Sequence, residues 1–300
     1  VRMHADQVDV SAAGVAALIA AQFPHWRDRP VRPLASAGTV NALFRLGDDL
    51  VLRFPLRPSA AAGRRDELAG VQEQARRLAA ELPCAIPEPV ALGAPGPDYP
   101  GWWSVYRWIP GETAGGPGLD AVPFARDLAG FVAALHGTDT GGRRWDGVSR
   151  GGPLATRDAD VRGALAASTH LIDTAGLARI WARCRDAAPA TAEVRIHADL
   201  MPGNLLVRDG RLAAVIDLEA LAVGDPAVDL MPAWNLLGAA ARAAYREALG
   251  VDDATWRRGQ GWAIVQAIVA LPYYAGTNPV MAATARGTLA AILDSRPPRG

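Results

Sequence analysis

The strongest constraint on the fold is a change of pattern at "PGETAGGPG", residues 110–118. Before this Gly/Pro-rich boundary the chain reads as short strands with one long helix, and after it helices dominate. Ser11 is a plausible N-cap for a helix over 11–23. "NALFRLGDDLVLRFPL" (41–56) reads as a β-hairpin turning at Gly47-Asp48-Asp49, and a helix follows from about Arg64 to Glu81, stopped by Pro83. The stretch "IPEPVALGAPGPDYPG" holds a short strand and a turn, and "WWSVYRWI" (102–109) is strand by its aromatic and β-branched content. Beyond the boundary, helices are expected at 121–136, 158–168 and 171–187, with four more amphipathic stretches after Asp225. Only 194–217 interrupts them, where "NLLVRDGRLAAVID" reads as two apolar strands around Arg208-Asp209-Gly210-Arg211. The expectation is an α+β chain with a small sheet lobe, a short hinge and a larger helical lobe.

Length and charge narrow the partners. Three hundred residues, half of them apolar, can fill more than one core. The formal charge is zero, so no basic field points to nucleic acid or to an anionic membrane surface. All 31 basic residues are Arg, so a site that ordinarily uses lysine must use arginine here. Cys84 and Cys184 lack C-x-x-C spacing, no run of eighteen apolar residues occurs, and "VRMHADQVDV" lacks a signal-peptide core. A cytoplasmic protein, monomeric or weakly dimeric, acting on a small molecule is expected.

One stretch concentrates polar groups in an apolar setting. "HADLMPGN" places His197, Asp199 and Asn204 before the second hairpin, which ends at Asp217, thirteen residues after Asn204. A buried turn, a hydrolytic metal site and a phosphoryl-transfer loop each use such groups. A loop carboxylate can orient and deprotonate a hydroxyl, while an amide oxygen and a second carboxylate at the two ends of a tight hairpin can converge on one Mg²⁺. Phosphoryl transfer needs those parts, because its catalyst mainly aligns the nucleophile and neutralises phosphate charge. In that reading Asp199 is the base, and Asn204 and Asp217 are metal ligands. His197 reads as a scaffold of the loop. Asp225, followed by Pro226, reads as a structural N-cap, and Asp229 as a residue supporting the site from behind.

With these segments, "YPGWWSVYRWIPGE" (99–112), "RGGPL" (150–154), "GDPAVDLMPAW" (224–234) and "YYAGTNPVMAATAR" (273–286), the chain resembles the protein-kinase-like fold and, within it, the aminoglycoside phosphotransferase family. The block from 197 to 229 is its most specific part. The resemblance implies a nucleotide-binding lobe over 1–108 and a catalytic and substrate-binding lobe over 109–300. It also implies Mg²⁺-dependent transfer of the γ-phosphoryl group of ATP or GTP to a hydroxyl of an antibiotic or related metabolite. Arg53 then stands where the family usually has a phosphate-contacting lysine, with Glu73 as its expected partner and Glu67 as the alternative. The phosphate-covering loop falls on "ASAGTVN" with Gly38 and Asn41, and the backbone from Arg107 to Ile109 faces the base. Arginine keeps the charge with a larger, forked head.

The sequence departs from protein kinases in Ala198, where an arginine would dock a phosphorylated loop, and in Asp217-Leu218-Glu219, where a glycine would follow the metal aspartate. Ala198, together with "GDPAVD" where protein kinases carry A-P-E, favours a small-molecule kinase without phospho-regulation. Glu219, Trp234 and Tyr274, with Tyr273 and Asn278, are candidates for bordering the acceptor, although helical aromatics are more often core. After residue 220 six acids face seven arginines, a balance that does not advertise a pocket for a polycation. Macrolides, sugars and amino alcohols therefore stay open as acceptors. A non-catalytic nucleotide-binding module is the competing class, and a hydrolase using His197 and Asp199 lacks the ligand cluster it would need.

Overall fold

A computed structural model describes residues 7–35, 40–115, 119 and 121–295. The chain divides into two compact units, Val1–Ala80 with Ala85–Pro110, and Glu81–Cys84 with Gly111–Gly300. Together they make the two-lobed α+β architecture: a small sheet with a flanking helix, and a larger, mostly helical unit.

In the first unit, helix α1 (Ala12–Gln22) begins at Ser11, whose hydroxyl accepts from the Gly14 amide at 3.0 Å. Strands β1 (Val31–Leu34), β2 (Asn41–Leu46) and β3 (Leu50–Pro55), helix α2 (Ala62–Leu78), and strands β4 (Pro89–Gly93) and β5 (Trp103–Arg107) follow. The strands form one antiparallel sheet in the order β1-β2-β3-β5-β4. Alternation gives the sheet two unlike faces. Phe44, Leu46, Leu50, Leu52 and Phe54 close a core with Val15, Leu18 and Ile19 of α1, and Trp103 stacks on Phe54 at 4.7 Å between ring centroids. Arg53 pairs across the sheet with Leu43 and Ser104, and Asn41 pairs with Pro55, so Asn41, Arg53 and Ser104 share the opposite face.

The second unit contains strand β6 (Glu112–Thr113), helices α3 (Val122–Gly137), α4 (Asp158–Ala167) and α5 (Thr174–Arg185), and strands β7 (Val194–Ile196), β8 (Leu205–Arg208), β9 (Arg211–Val215) and β10 (Ala222–Gly224). It ends in helices α6 (Pro232–Asn235), α7 (Ala239–Leu249), α8 (Asp253–Tyr274) and α9 (Pro279–Asp294). The hairpin β8–β9 forms where the apolar runs place it, with β6 added to its edge, while β7 and β10 make a separate antiparallel pair. Strands of two or three residues are too short to leave a two-residue period, and β6, β7 and β10 are not predicted from sequence. No helix among the described residues is long and apolar enough to cross a membrane. Both cysteines are free.

Asp225 caps the turn after β10 as its Pro-containing context predicts, accepting from the Ala227 amide at 2.9 Å. It also accepts from Arg258 of α8 at 2.6 and 3.2 Å, and both side chains are buried. A buried ion pair tolerates loss of both partners better than loss of one. Asp225→Ala should therefore lower the unfolding free energy by about 3 kcal/mol or more. Adding Arg258→Leu should recover part of that loss, as read from urea denaturation of the two variants.

Candidate functional site

The loop after β7 is held by a carboxylate from another segment. Asp229 has no exposed surface, and its two oxygens accept the backbone N–H groups of His197 and Ala198, each at 2.9 Å. His136 of α3 lies 3.1 Å from the same carboxylate, and the Tyr245 hydroxyl of α7 donates to the Asp229 carbonyl at 2.7 Å. Burial of that hydroxyl pushes the Tyr245 pKa well up, so it stays a donor. Ala198 has φ +65°, a left-handed conformation that non-glycine residues adopt at a cost and that Asp229 secures here. His197 is buried; its Nε2 lies 3.1 Å from the Ile216 carbonyl, and its Nδ1 accepts from the Asp199 amide at 3.3 Å. It ties the loop to the hairpin, as a scaffold would.

This framework presents Asp199. Asn204 donates through Nδ2 to the Asp199 carbonyl at 2.8 Å and to its Oδ2 at 3.1 Å. Gln266 of α8 donates to Oδ1 at 3.0 Å, and the Arg150 guanidinium contacts that same oxygen. Arg150 and Gln266 lie far from Asp199 in sequence, and no local spacing reveals them. Asp229 stood in the sequence only as a supporting residue; the structure makes it the anchor of the loop.

Asn204 and Asp217 flank the hairpin. Leu205 pairs with Val215, and the Ile216 amide donates to the Asn204 carbonyl at 2.8 Å, which puts Asn204 beside the residue preceding Asp217. Asp217 has φ +67° and ψ +63°, so the chain turns sharply as it leaves β9. With Nδ2 committed to Asp199 and the backbone carbonyl to the Ile216 amide, the side-chain Oδ1 is the oxygen of Asn204 that could face a cation. Among the described residues no three His, Cys, Asp or Glu converge as a metal cluster. One carboxylate and one amide oxygen nevertheless suit Mg²⁺, which keeps several waters and uses phosphate oxygens. The far end of the hairpin is fastened to α3: Arg211 binds Asp127 through Nε and Nη2, each at 2.6 Å. The hydrogen bond from Arg211 holds the Asp127 carboxyl below the usual range, against a smaller opposing effect of burial.

The other predicted positions are distributed. Glu73 lies on the exposed face of α2, bound by Arg77 at 3.0 Å and Arg76 at 3.6 Å. Gln72 is the buried polar residue of that helix, donating to the Ala91 carbonyl at 3.0 Å. Glu67 is exposed and bound by Arg64 at 3.1 Å. Arg107 is exposed at the end of β5 and pairs with Asp49 at 3.1 Å, with Ile109 half-buried beyond it. Gly38 lies outside the described residues. Trp234 is 1% exposed and packs on Trp256 at 4.8 Å, in the core as helical aromatics more often are. Glu219 and Tyr274 are half-buried, and Tyr274 meets the Tyr273 ring edge-to-face at 4.8 Å.

Asp229→Asn keeps the size of the side chain but turns an amide NH₂ toward a backbone N–H. It should cost about 2 kcal/mol of stability, measured by denaturant unfolding. Because the folded pKa of Asp127 is lowered, its contribution is present above about pH 4 and is lost as pH falls through the lowered folded value. Asp127→Asn should therefore reduce the acid dependence of stability below about pH 4 in pH-resolved melts.

A family model described as "Phosphotransferase enzyme family" matches residues 31–262. Among solved structures, the GDP and kanamycin complex of APH(2")-IIia aligns with a TM-score of 0.71 at 19% identity, over 94% of this chain and 99% of that one. Macrolide 2'-phosphotransferase MphH from Brachybacterium faecium aligns with a TM-score of 0.58 at 24% identity, over 96% of this chain and 99% of that one. ADP-bound aminoglycoside phosphotransferase APH(2'')-Ib aligns with a TM-score of 0.57 at 17% identity, over 94% and 97%. At these identities the structures carry the fold. A search of curated proteins gave no match. The family match covers well over half of the chain, and the chain belongs to the phosphotransferase enzyme family.

Proposed function

We propose that the protein is a small-molecule kinase that transfers the γ-phosphoryl group of ATP or GTP to a hydroxyl of an aminoglycoside-like antibiotic or a related metabolite. The observation that supports this reading is the bonded pair Asp199–Asn204, with the Ile216 amide on the Asn204 backbone carbonyl bringing the chain that leads into Asp217 alongside. A buried carboxylate locks the loop, and Asn204 bonds directly to Asp199.

In this reading Asp199 orients the acceptor hydroxyl and takes its proton as the bond to phosphorus forms. Asn204 contributes twice, holding Asp199 through its NH₂ and offering its oxygen to Mg²⁺ with Asp217. When bound, Mg²⁺ would neutralise charge on the phosphates. In the first unit, Arg53 and Asn41 are the proposed nucleotide contacts, on the sheet face opposite the core. Arginine would bind phosphate as a bidentate fork rather than a point charge. Glu73 keeps only a proposed role toward the nucleotide, since Arg76 and Arg77 already bind its carboxylate. Macrolides are the second acceptor reading. It is favoured by the arginine excess after residue 220 and by the likeness to MphH.

The test is Mg²⁺ with labelled ATP or GTP and a panel of hydroxylated antibiotics and metabolites. Phosphorylated product is expected for at least one acceptor. Asp199→Ala should lower kcat by about 10²–10⁴-fold while calorimetry shows nucleotide still binding. Nucleotide binding with no transfer across a broad panel would reject the kinase and leave a binding module.

A further inference from the structure

Arg150 has no place in the mechanism above, yet it reaches the proposed base. Its Nη1 donates to the Ala198 carbonyl at 2.9 Å and contacts Oδ1 of Asp199. A guanidinium touching the carboxylate cancels much of the field that the carboxylate would present to an incoming ammonium group.

The turn that delivers Arg150 is built rather than incidental. Gly151 has φ +104°, and a Cβ there would lie 2.6 Å from Ile196 Cδ1 and 3.2 Å from Gly224 Cα. The Gly151 carbonyl accepts the Asp225 amide at 2.8 Å, which fixes the turn against the end of β10. A Cβ at Gly152 would meet the Trp145 ring at 2.2 Å, and the indole N–H of Trp145 donates to the Ser149 carbonyl at 2.9 Å. Only glycines bring the backbone this close, and Arg150 is consequently aimed from a braced position.

The helix that supplies Gln266 adds a second observation. Val269 and Tyr273 lie three and seven residues beyond Gln266, on the same stripe of α8, and are 43% and 55% exposed. Two exposed side chains, one aliphatic and one aromatic, therefore follow Gln266 along that stripe. Glu219, two residues past Asp217, is the acid nearest in sequence to the proposed metal side.

We propose that Arg150 is a positioning residue for Asp199 that also selects acceptors, favouring hydroxylated molecules of low positive charge with an apolar face over polycations. This rests on the kinase reading for the identity of the site. Arg150 fixes the orientation of the carboxylate through Oδ1 and the Ala198 carbonyl, and offsets the charge that Asp199 would otherwise present to a polyamine.

The experiment compares the full chain with Arg150→Gln and Arg150→Lys, using kanamycin as a polycation and a macrolide with one basic amine as the low-charge acceptor. Binding is measured by calorimetry with nucleotide present, and turnover by phosphate transfer. The unaltered chain should favour the macrolide, and Arg150→Gln should shift the preference toward kanamycin by about tenfold. The same variant should lower kcat more than it changes the KM for nucleotide, and Arg150→Lys should keep the preference for low charge. A preference changed less than about twofold by Arg150→Gln, or an initial preference for kanamycin, would overturn the proposal. Charge-selective binding that depends on Arg150 without transfer would sink the kinase reading and leave the selection standing. Transfer without charge selection would do the reverse.

Discussion

The site depends on one buried carboxylate. Asp229 accepts two consecutive backbone amides, a pattern that no helix or strand at that point could satisfy, because Ala198 is left-handed and leaves the β7 ladder. A charge so buried is tolerated only when hydrogen-bonded on all sides. The His197 and Ala198 amides, together with the nearby His136 ring, supply that environment. The return is geometric. Asp199 follows directly from the residue whose conformation Asp229 enforces, so its direction is set by the packing of α3 and α7 rather than by the loop's own preferences.

Arginine chemistry recurs at the points where segments must be held in register. Arg211 grips Asp127 with two nitrogens and fastens the hairpin to α3, while Arg258 grips Asp225 and fastens α8 to the turn after β10. Both are forked contacts that a single ammonium could not reproduce. A chain without lysine has made that geometry its general solution. Asn204 and Asp217 are therefore carried on a hairpin tied at both ends, by Arg211 at the turn and by His197 and the Ile216 amide near the open end.

What could be read from sequence follows the range of the interaction. The nearness of Asn204 to Asp199 and to the end of β9 is legible because one loop and one tight hairpin connect these positions, so spacing alone approximates it. Helices α7 and α9 are legible for the same reason, since local signals mark them: α7 is amphipathic and stops at Gly250, and α9 starts at the Asn278 cap with Pro279 in its first turn. Arg150 and Gln266 are not legible, because tertiary packing brings them to Asp199 from 49 and 67 residues away. Glu73 shows the other limit. The family resemblance points to Glu73, but the helical phase puts Gln72 inward and Glu73 outward, a distinction of one residue that depends on how α2 docks. Trp234 was ambiguous for a related reason, since an aromatic on a short helix reads alike whether it faces a ligand or the core.

The hydrogen bonds around Asp199 also limit how an acceptor can approach it. An ionised carboxylate has about four acceptor sites, two on each oxygen. Oδ1 is occupied by Gln266 and Arg150, and Oδ2 by Asn204 on one side. The remaining lone pair of Oδ2 is where a hydroxyl can dock without displacing a protein donor. Under the proposed reaction, the proton would therefore leave along the edge of the carboxylate nearest Asn204, whose own oxygen is the proposed metal ligand. The nucleophile and the cation would then be referenced to the same side chain. A shift of Asn204 by a few tenths of an ångström would disturb base and metal together, so Asn204 matters more to alignment than its single ligand oxygen suggests.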